Sequence, residues 1–168
     1  DMSLAGGSAG FNLIGSSGTD TITATGKADT FTITSSGQGN SDVLDGGAGS
    51  DTLQLSSGSH VFSSDSNFSN IETVLANASG SSVNLSAQTE GFTITGGAGV
   101  DTITGAAGAN VITGDAGNDI ITGGASADII TGGAGDDQLT GGGGVDTFKI
   151  DAGSDTITDL SAADIMVI

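Results

Sequence analysis

Asp101, Asn110, Asp119, Asp128, Asp137, Asp146, Asp155 and Asp164 follow one another at nine-residue intervals, and Asp20, Asp29, Asp42 and Asp51 repeat that interval in two pairs nearer the N-terminus. Carboxylates at a fixed spacing in glycine-rich backbone are oxygen donors suited to a hard divalent cation. The rest of the inventory argues against catalysis. There is one histidine, His60, and there are no cysteines; the two basic residues are lysines, and neither lies in a phosphate loop. His60 stands alone in an irregular stretch and reads as a surface or packing residue. The letters GGSAG (Gly6–Gly10) match a nucleophile elbow, but they lack the partner histidine and the strand-to-helix context such an elbow needs. Zinc finds no ligand set here.

Each acid is the sixth residue of a nonapeptide. From Gly96 to Lys149 these read GGAGVDTIT, GAAGANVIT, GDAGNDIIT, GGASADIIT, GGAGDDQLT and GGGGVDTFK. Glycine opens every one and the eighth residue is apolar. A glycine-acid turn and a short strand repeating every nine residues describe a parallel β-solenoid. Tight turns draw on glycine because they require positive φ. The eighth residue points inward, the seventh and ninth outward. Two frames make one coil, so acids two frames apart stack: Asp101 over Asp119, Asp119 over Asp137. At the ~4.8 Å spacing of parallel strands, two carboxylates repel by about 3 kcal/mol in an effective dielectric near 20. Ordering glycine turns adds a conformational cost, and one inward apolar residue per frame is a thin core to set against it. A cation that accepts oxygens turns the repulsion into attraction. Ca2+ suits irregular, carbonyl-rich sites, whereas Mg2+ demands a small octahedron and keeps its waters.

The frame also organises the N-terminal part. Gly15–Thr23 and Ala24–Thr32 are two frames, Ile33–Ser36 loosen the register, and Gly37–Asp45 and Gly46–Gln54 resume it. Gly6–Ile14 keeps the glycines and the inward Leu13 but carries Phe11 in the acid's place. Leu55–Thr95 breaks the pattern, with Asp65, Glu72 and Glu90 as its acids. Its pieces HVF, ETVLA, SVNL and FTIT predict irregular coils with a loop around Ser63–Asn70 and no helix. Beyond Lys149 the frame continues through Ile150–Thr158 and Asp159–Val167. The expected parts are 1–54, N-terminal coils; 55–95, an irregular insert; and 96–168, the main array. A start at Asp1 and an end within the strand-like IMVI are expected of a fragment.

The frames match the pattern GGxGxDxUx, and the chain thereby resembles the RTX (repeat-in-toxin) family of calcium-binding repeats. FSNIETV is similar to linkers in bacterial RTX-type S-layer and surface-adhesin proteins, and DTITDLSAAD resembles the run-out that follows many such arrays. The resemblance implies an all-β, right-handed parallel β-roll with Ca2+ in the glycine-Asp turns. It also implies a ligand set. One turn gives carbonyls two and four and carboxylate six; the turn one coil later gives carbonyls one and three and its own carboxylate. The first pair is then Gly97, Gly99 and Asp101 with Gly114, Ala116 and Asp119. Along the array the scheme takes in Asn110, Gly117, Gly123, Gly124, Asp128, Gly132, Gly133, Gly135, Asp137, Gly141, Gly143, Asp146, Asp155 and Asp164. Asp20 with Asp42 and Asp29 with Asp51 make two further pairs. Roughly six to eight ions are implied, and eight would nearly cancel the formal charge of −18. Asn110 offers only a neutral oxygen, so its site is expected to be weaker. Lys27 at a glycine position, the extra Ile33–Ser36, and Ile150 and Asp159 at opening positions are expected to distort theirs.

The charge argues against nucleic acid and anionic membranes, and no apolar run is long enough to span a bilayer. The resemblance implies type I secretion to the cell surface and calcium-coupled folding outside the cell. Three function classes follow: a calcium-stiffened structural module of an S-layer, adhesin or matrix protein; the accessory tail of a secreted protease, lipase or polysaccharide-modifying enzyme; and a calcium-dependent ligand-binding module. The irregular segment between arrays favours the first. The outward Val111 and Ile129, one coil apart, form an apolar patch expected to support a homo-oligomer, filament or lattice. Four blander readings stand beside these: solvated turn aspartates without metal, ice binding by the interrupted outward threonines, glycosylation at Asn67, Asn77 or Asn84, and coverage of the apolar patch by the rest of the chain. If the frames are right, Asp119→Ala or Asp128→Ala will raise the calcium midpoint of folding far more than Asp65→Ala or Glu90→Ala. Equal midpoints in a circular-dichroism titration would show the assignment to be wrong.

Overall fold

Threonine, isoleucine and valine favour extended backbone, and the flanking glycines end each run after a few residues. Short strands result, and the computed structural model, which describes residues 2–3, 20–24, 26–34, 42–76 and 79–168, stacks them as a solenoid. The Gly6–Ile14 frame with its GGSAG motif, and Asn77, lie outside the described residues. All pairings between the described strands are parallel. An eight-stranded sheet runs through Thr30–Ile33, Thr52–Leu55, Thr73–Leu75, Thr93–Ala98, Val111–Ala116, Ile129–Ala134, Thr147–Lys149 and Ile165–Val167. A six-stranded sheet holds Gly58–Val61, Ser81–Asn84, Thr102–Thr104, Ile120–Gly124, Gln138–Gly142 and Thr156–Ile157. Met2–Ser3, Thr21–Thr23, Val43–Asp45 and Phe68–Ser69 form a four-stranded sheet.

Register follows the frame. In the C-terminal array, Thr93 pairs with Val111, Val111 with Ile129, and Ile129 with Thr147. Successive frames alternate between the eight- and six-stranded sheets. Ile103, Ile112, Ile121, Ile130, Leu139 and Phe148, each at position eight, are fully buried in one continuous core. The expected inward column fails at its last member. Met166 is 46% exposed, on an end strand that pairs along one edge only.

Leu55–Thr95 gives strands to all three sheets and keeps the stack continuous, with Thr73–Leu75 pairing to Thr52–Gln54 on one side and Thr93–Thr95 on the other. Within the expected loop lies one 3-10 turn, Asp65–Asn67, which propensity alone did not foretell. Its capping supplies the reason: the Ser64 hydroxyl accepts from Ser66 N–H, and Asn67 Oδ1 accepts from Ser64 N–H at 3.0 Å. Asn67 is itself buried, its amide donating to the Asp42 carbonyl at 2.8 Å, which removes it as a glycosylation site. His60 is a packing residue, buried with Nε2–H donating to the Ser56 carbonyl at 3.0 Å, and burial lowers its pKa.

Position four shows why the turns need glycine. Gly117 and Gly135 have φ of 147° and 142°, and a Cβ on Gly135 would run into the Gly117 carbonyl one coil away. Asp115, at position two, holds φ 76° without being glycine. Gly135→Ala should therefore cost about 2 kcal/mol or more, and Asp115→Gly should gain about 1 kcal/mol. Thermal unfolding in saturating calcium measures both; opposite signs would refute the turn geometry.

Candidate metal centre

Positions six, eight and one lie two residues apart along each strand, so they share its inner face. The acid is thus carried inward beside the core residue: Asp101, Asp119, Asp128, Asp137 and Asp146 are all buried. Each uses Oδ1 to extend the parallel ladder. Asp101 N–H donates to Asp119 Oδ1 and Asp119 N–H to Asp137 Oδ1, both at 2.8 Å; Asp137 N–H donates to Asp155 Oδ1 at 3.1 Å. The second column repeats this, with Asn110 N–H on Asp128 Oδ1 at 2.7 Å, Asp128 N–H on Asp146 Oδ1 at 2.9 Å, and Asp146 N–H on Asp164 Oδ1 at 3.0 Å.

The other oxygen is left wanting. Oδ2 of Asp51, Asp101, Asp119, Asp128, Asp137 and Asp155 is buried with no hydrogen-bond partner. In Asp51, Asp101, Asp119, Asp128 and Asp137 it lies over the opening glycine of its own turn. A Cβ on Gly96 would meet the Gly114 carbonyl at 2.6 Å and Asp101 Oδ2 at 2.8 Å, so these two oxygens converge on one cradle. The same cradle recurs at Gly123, between Asp128 Oδ2 and the Gly141 carbonyl. Over Gly117, the Gly99 carbonyl and Asp119 Oδ1 converge likewise. Buried anionic oxygen facing carbonyl oxygen is unfavourable without a cation. Burial accordingly drives Asp119 up to about 6, partly offset by the Asp101 N–H and reinforced by the carboxylates of Asp101, Asp137 and Asp115. Burial also raises Asp51, Asp101, Asp128, Asp137 and Asp146. Orphaned carboxylate oxygens, converging carbonyls and an all-oxygen donor set fit Ca2+.

The N-terminal pairs come together too, Asp20 N–H on Asp42 Oδ1 at 2.8 Å and Asp29 N–H on Asp51 Oδ1 at 2.7 Å. The extra residues around Ile33–Ser36 lengthen the coil to a 22-residue step and leave the acids aligned, contrary to the expected misalignment. The Ala116 carbonyl accepts Gly99 N–H at 2.6 Å, which occupies one of its two lone pairs. In the last turn Asp159 accepts from Gly141 and Gly142 N–H, and Asp164 Oδ2 accepts from Ser161 N–H at 2.7 Å. The Asp146 N–H foremost, and then that of Ser161, hold the Asp164 pKa below the usual carboxylate range.

Three residues of these columns escaped the frame count. Glu72 continues the column of Asp29 and Asp51, accepting Asp51 N–H at 2.7 Å. Its signal was legible, since Glu-Thr-Val repeats the Asp-Thr-Ile order of a frame. Phe92 stands next in that column, where Phe-Thr-Ile replaces the acid by a ring that packs edge-on against Phe68. Asp151, at position two, brings its carboxylate within 4.8 Å of those of Asp137 and Asp155.

A family profile covering four copies of the RTX calcium-binding nonapeptide repeat matches residues 14–32, 36–59, 95–129, 113–148 and 122–157, well over half of the chain. The chain belongs to this RTX family. RTX repeats bind Ca2+, and the RTX frame is what sets each Asp on the inner face of the roll. Comparisons with curated proteins and with solved structures gave no match.

The raised carboxylates dictate a pH response. An aspartate whose folded pKa exceeds its unfolded value of 3.8 favours folding below that value and loses this contribution as pH rises through the folded pKa, about 6 for Asp119. In EDTA the RTX chain should therefore gain β signal on acidification from pH 7 to 4. With calcium the dependence inverts, because protons compete for the same oxygens. Circular dichroism across pH checks both, and a flat calcium-free profile would contradict the buried placement.

Proposed function

We propose that the chain is a calcium-set structural module of a secreted bacterial surface protein, an S-layer, adhesin or matrix component. The observation that carries this reading is the row of buried, partnerless Oδ2 atoms at Asp51, Asp101, Asp119, Asp128, Asp137 and Asp155. Ions at these turns join carboxylate six of one coil to backbone carbonyls of the next, so that binding energy becomes folding energy. Such a chain stays loose where calcium is scarce and sets outside the cell, which agrees with the general secretion of RTX proteins. No helix among the described residues is long and apolar enough to cross a membrane.

The calcium dependence has a direct test. In EDTA at pH 7 the β signal should be weak, rising cooperatively as Ca2+ reaches the ~10⁻⁴–10⁻³ M range of extracellular calcium modules. Mg2+ at equal concentration should substitute poorly. A spectrum equally folded in EDTA would overturn the reading.

Self-assembly belongs to the same proposal. Val111 and Ile129 pair on the outer face of the eight-stranded sheet, 43% and 37% exposed. Two stacked β-branched side chains facing water support a contact between copies. Calcium should then drive the folded chain into dimers or filaments, with Ile129→Asp weakening them and leaving calcium binding intact. Strictly monomeric light scattering at high concentration and saturating calcium would exclude assembly.

A further inference from the structure

Asn110 occupies the position that its neighbours give to an acid, but it turns a different atom toward the cradle. Its Nδ2 shares two hydrogens among four acceptors, the carbonyls of Ala106 at 3.1 Å, Gly108 at 2.8 Å and Gly123 at 3.3 Å and Asp128 Oδ1 at 3.0 Å. Two of these acceptors belong to its own turn and two to the turn one coil later. The amide oxygen is used as well, accepting Phe92 N–H at 3.1 Å and Ala106 N–H at 3.4 Å. Neither side-chain atom is without a partner.

In the neighbouring turns the same spot holds a carboxylate oxygen. Gly96 faces Asp101 Oδ2, Gly114 faces Asp119 Oδ2 and Gly123 faces Asp128 Oδ2, whereas Gly105 faces Asn110 Nδ2. An oxygen there confronts other oxygens and needs a cation between them; an NH2 group bonds to them directly. The turn differs in a second, independent way. No residue from Gly105 to Asn110 has positive φ, while the neighbouring turns place Gly97, Gly99, Asp115, Gly117, Gly133 and Gly135 in that region. Ala106 stands at position two, buried in the core. One coil back in the same column is Phe92, with no carboxylate to contribute.

We propose that the rung between Asn110 and Asp128 is closed by the asparagine amide and takes no ion. The chain then binds one calcium fewer than its stacked position-six residues would allow. The coil around Phe92 and Asn110 becomes a part of the roll that holds without calcium, between two parts that need it. The ion count rests on the calcium reading of the neighbouring turns; the hydrogen-bonded clasp does not.

The test compares wild type with Asn110→Asp and Asn110→Ala. Calcium stoichiometry by equilibrium dialysis should rise by one ion per chain in Asn110→Asp and stay at the wild-type value in Asn110→Ala. Hydrogen exchange in EDTA should show the Phe92, Ala106 and Asn110 amides of wild type more protected than the Asp101 and Asp119 amides. Both variants should lose that excess, by about tenfold for one to two net hydrogen bonds. Unchanged stoichiometry in Asn110→Asp, or no excess protection in wild type, would overturn the proposal. If wild type binds no calcium at all, the functional reading fails, while exchange in EDTA still decides the clasp.

Discussion

A carboxylate held at one oxygen and left wanting at the other governs this molecule. Oδ1 of each stacked aspartate takes the backbone N–H of the coil before it, fixing the side chain inward. Oδ2 of Asp51, Asp101, Asp119, Asp128, Asp137 and Asp155 is thereby committed to a buried place with no hydrogen-bond partner. Much of the repeat pattern follows from that commitment. At Gly96, Gly114 and Gly123 position one is glycine because Oδ2 and a carbonyl fill the space a Cβ would use. At Gly117 and Gly135 position four is glycine because the preceding coil's backbone presses against it at positive φ; Ser126 takes that position in a turn where φ is not positive. Position eight must be apolar because it shares the inner face with the acid and supplies most of the core of the C-terminal array.

Where the acid is missing, the structure closes its coils by other means. Phe92 sends an aromatic ring inward to Phe68, which packs in turn on Phe62 with centroids 4.4 Å apart. Gln88 donates its amide to the Ser64 carbonyl at 2.8 Å, and Asn67 does the same for Asp42. These are neutral solutions to the same problem of joining one coil to the next. They cluster in the middle of the chain, between acid-bearing arrays on either side.

The period made most of this legible. Nine residues with an inward eighth position gave the parallel solenoid, the alternation of frames between sheets, and the stacking of Asp101, Asp119 and Asp137. The burial of the acids was also implicit, since residues six and eight share a strand face, yet a charged side chain invites a solvent-facing assignment. Glu72 and Phe92 were hidden by coils longer than the repeat: the register steps 21 residues from Asp51 to Glu72 instead of 18, and a fixed period cannot follow it. The letters at Asn110 predict a neutral oxygen and a weaker site, and do not show which amide atom faces the cradle, where the structure places Nδ2. The 3-10 turn at Asp65–Asn67 depended on one capping box, a signal too short for periodicity to register.

Alternation of frames between two sheets makes the parity of the repeat number a mechanical quantity. One added nonapeptide carries everything after it half a coil around the axis, exchanging the face that bears Val111 and Ile129 for the one that bears Ile120. Two added nonapeptides restore the original facing and only lengthen the rod by one strand spacing, ~4.8 Å. Odd changes in repeat number therefore re-aim whatever follows the array, and even changes only extend its reach.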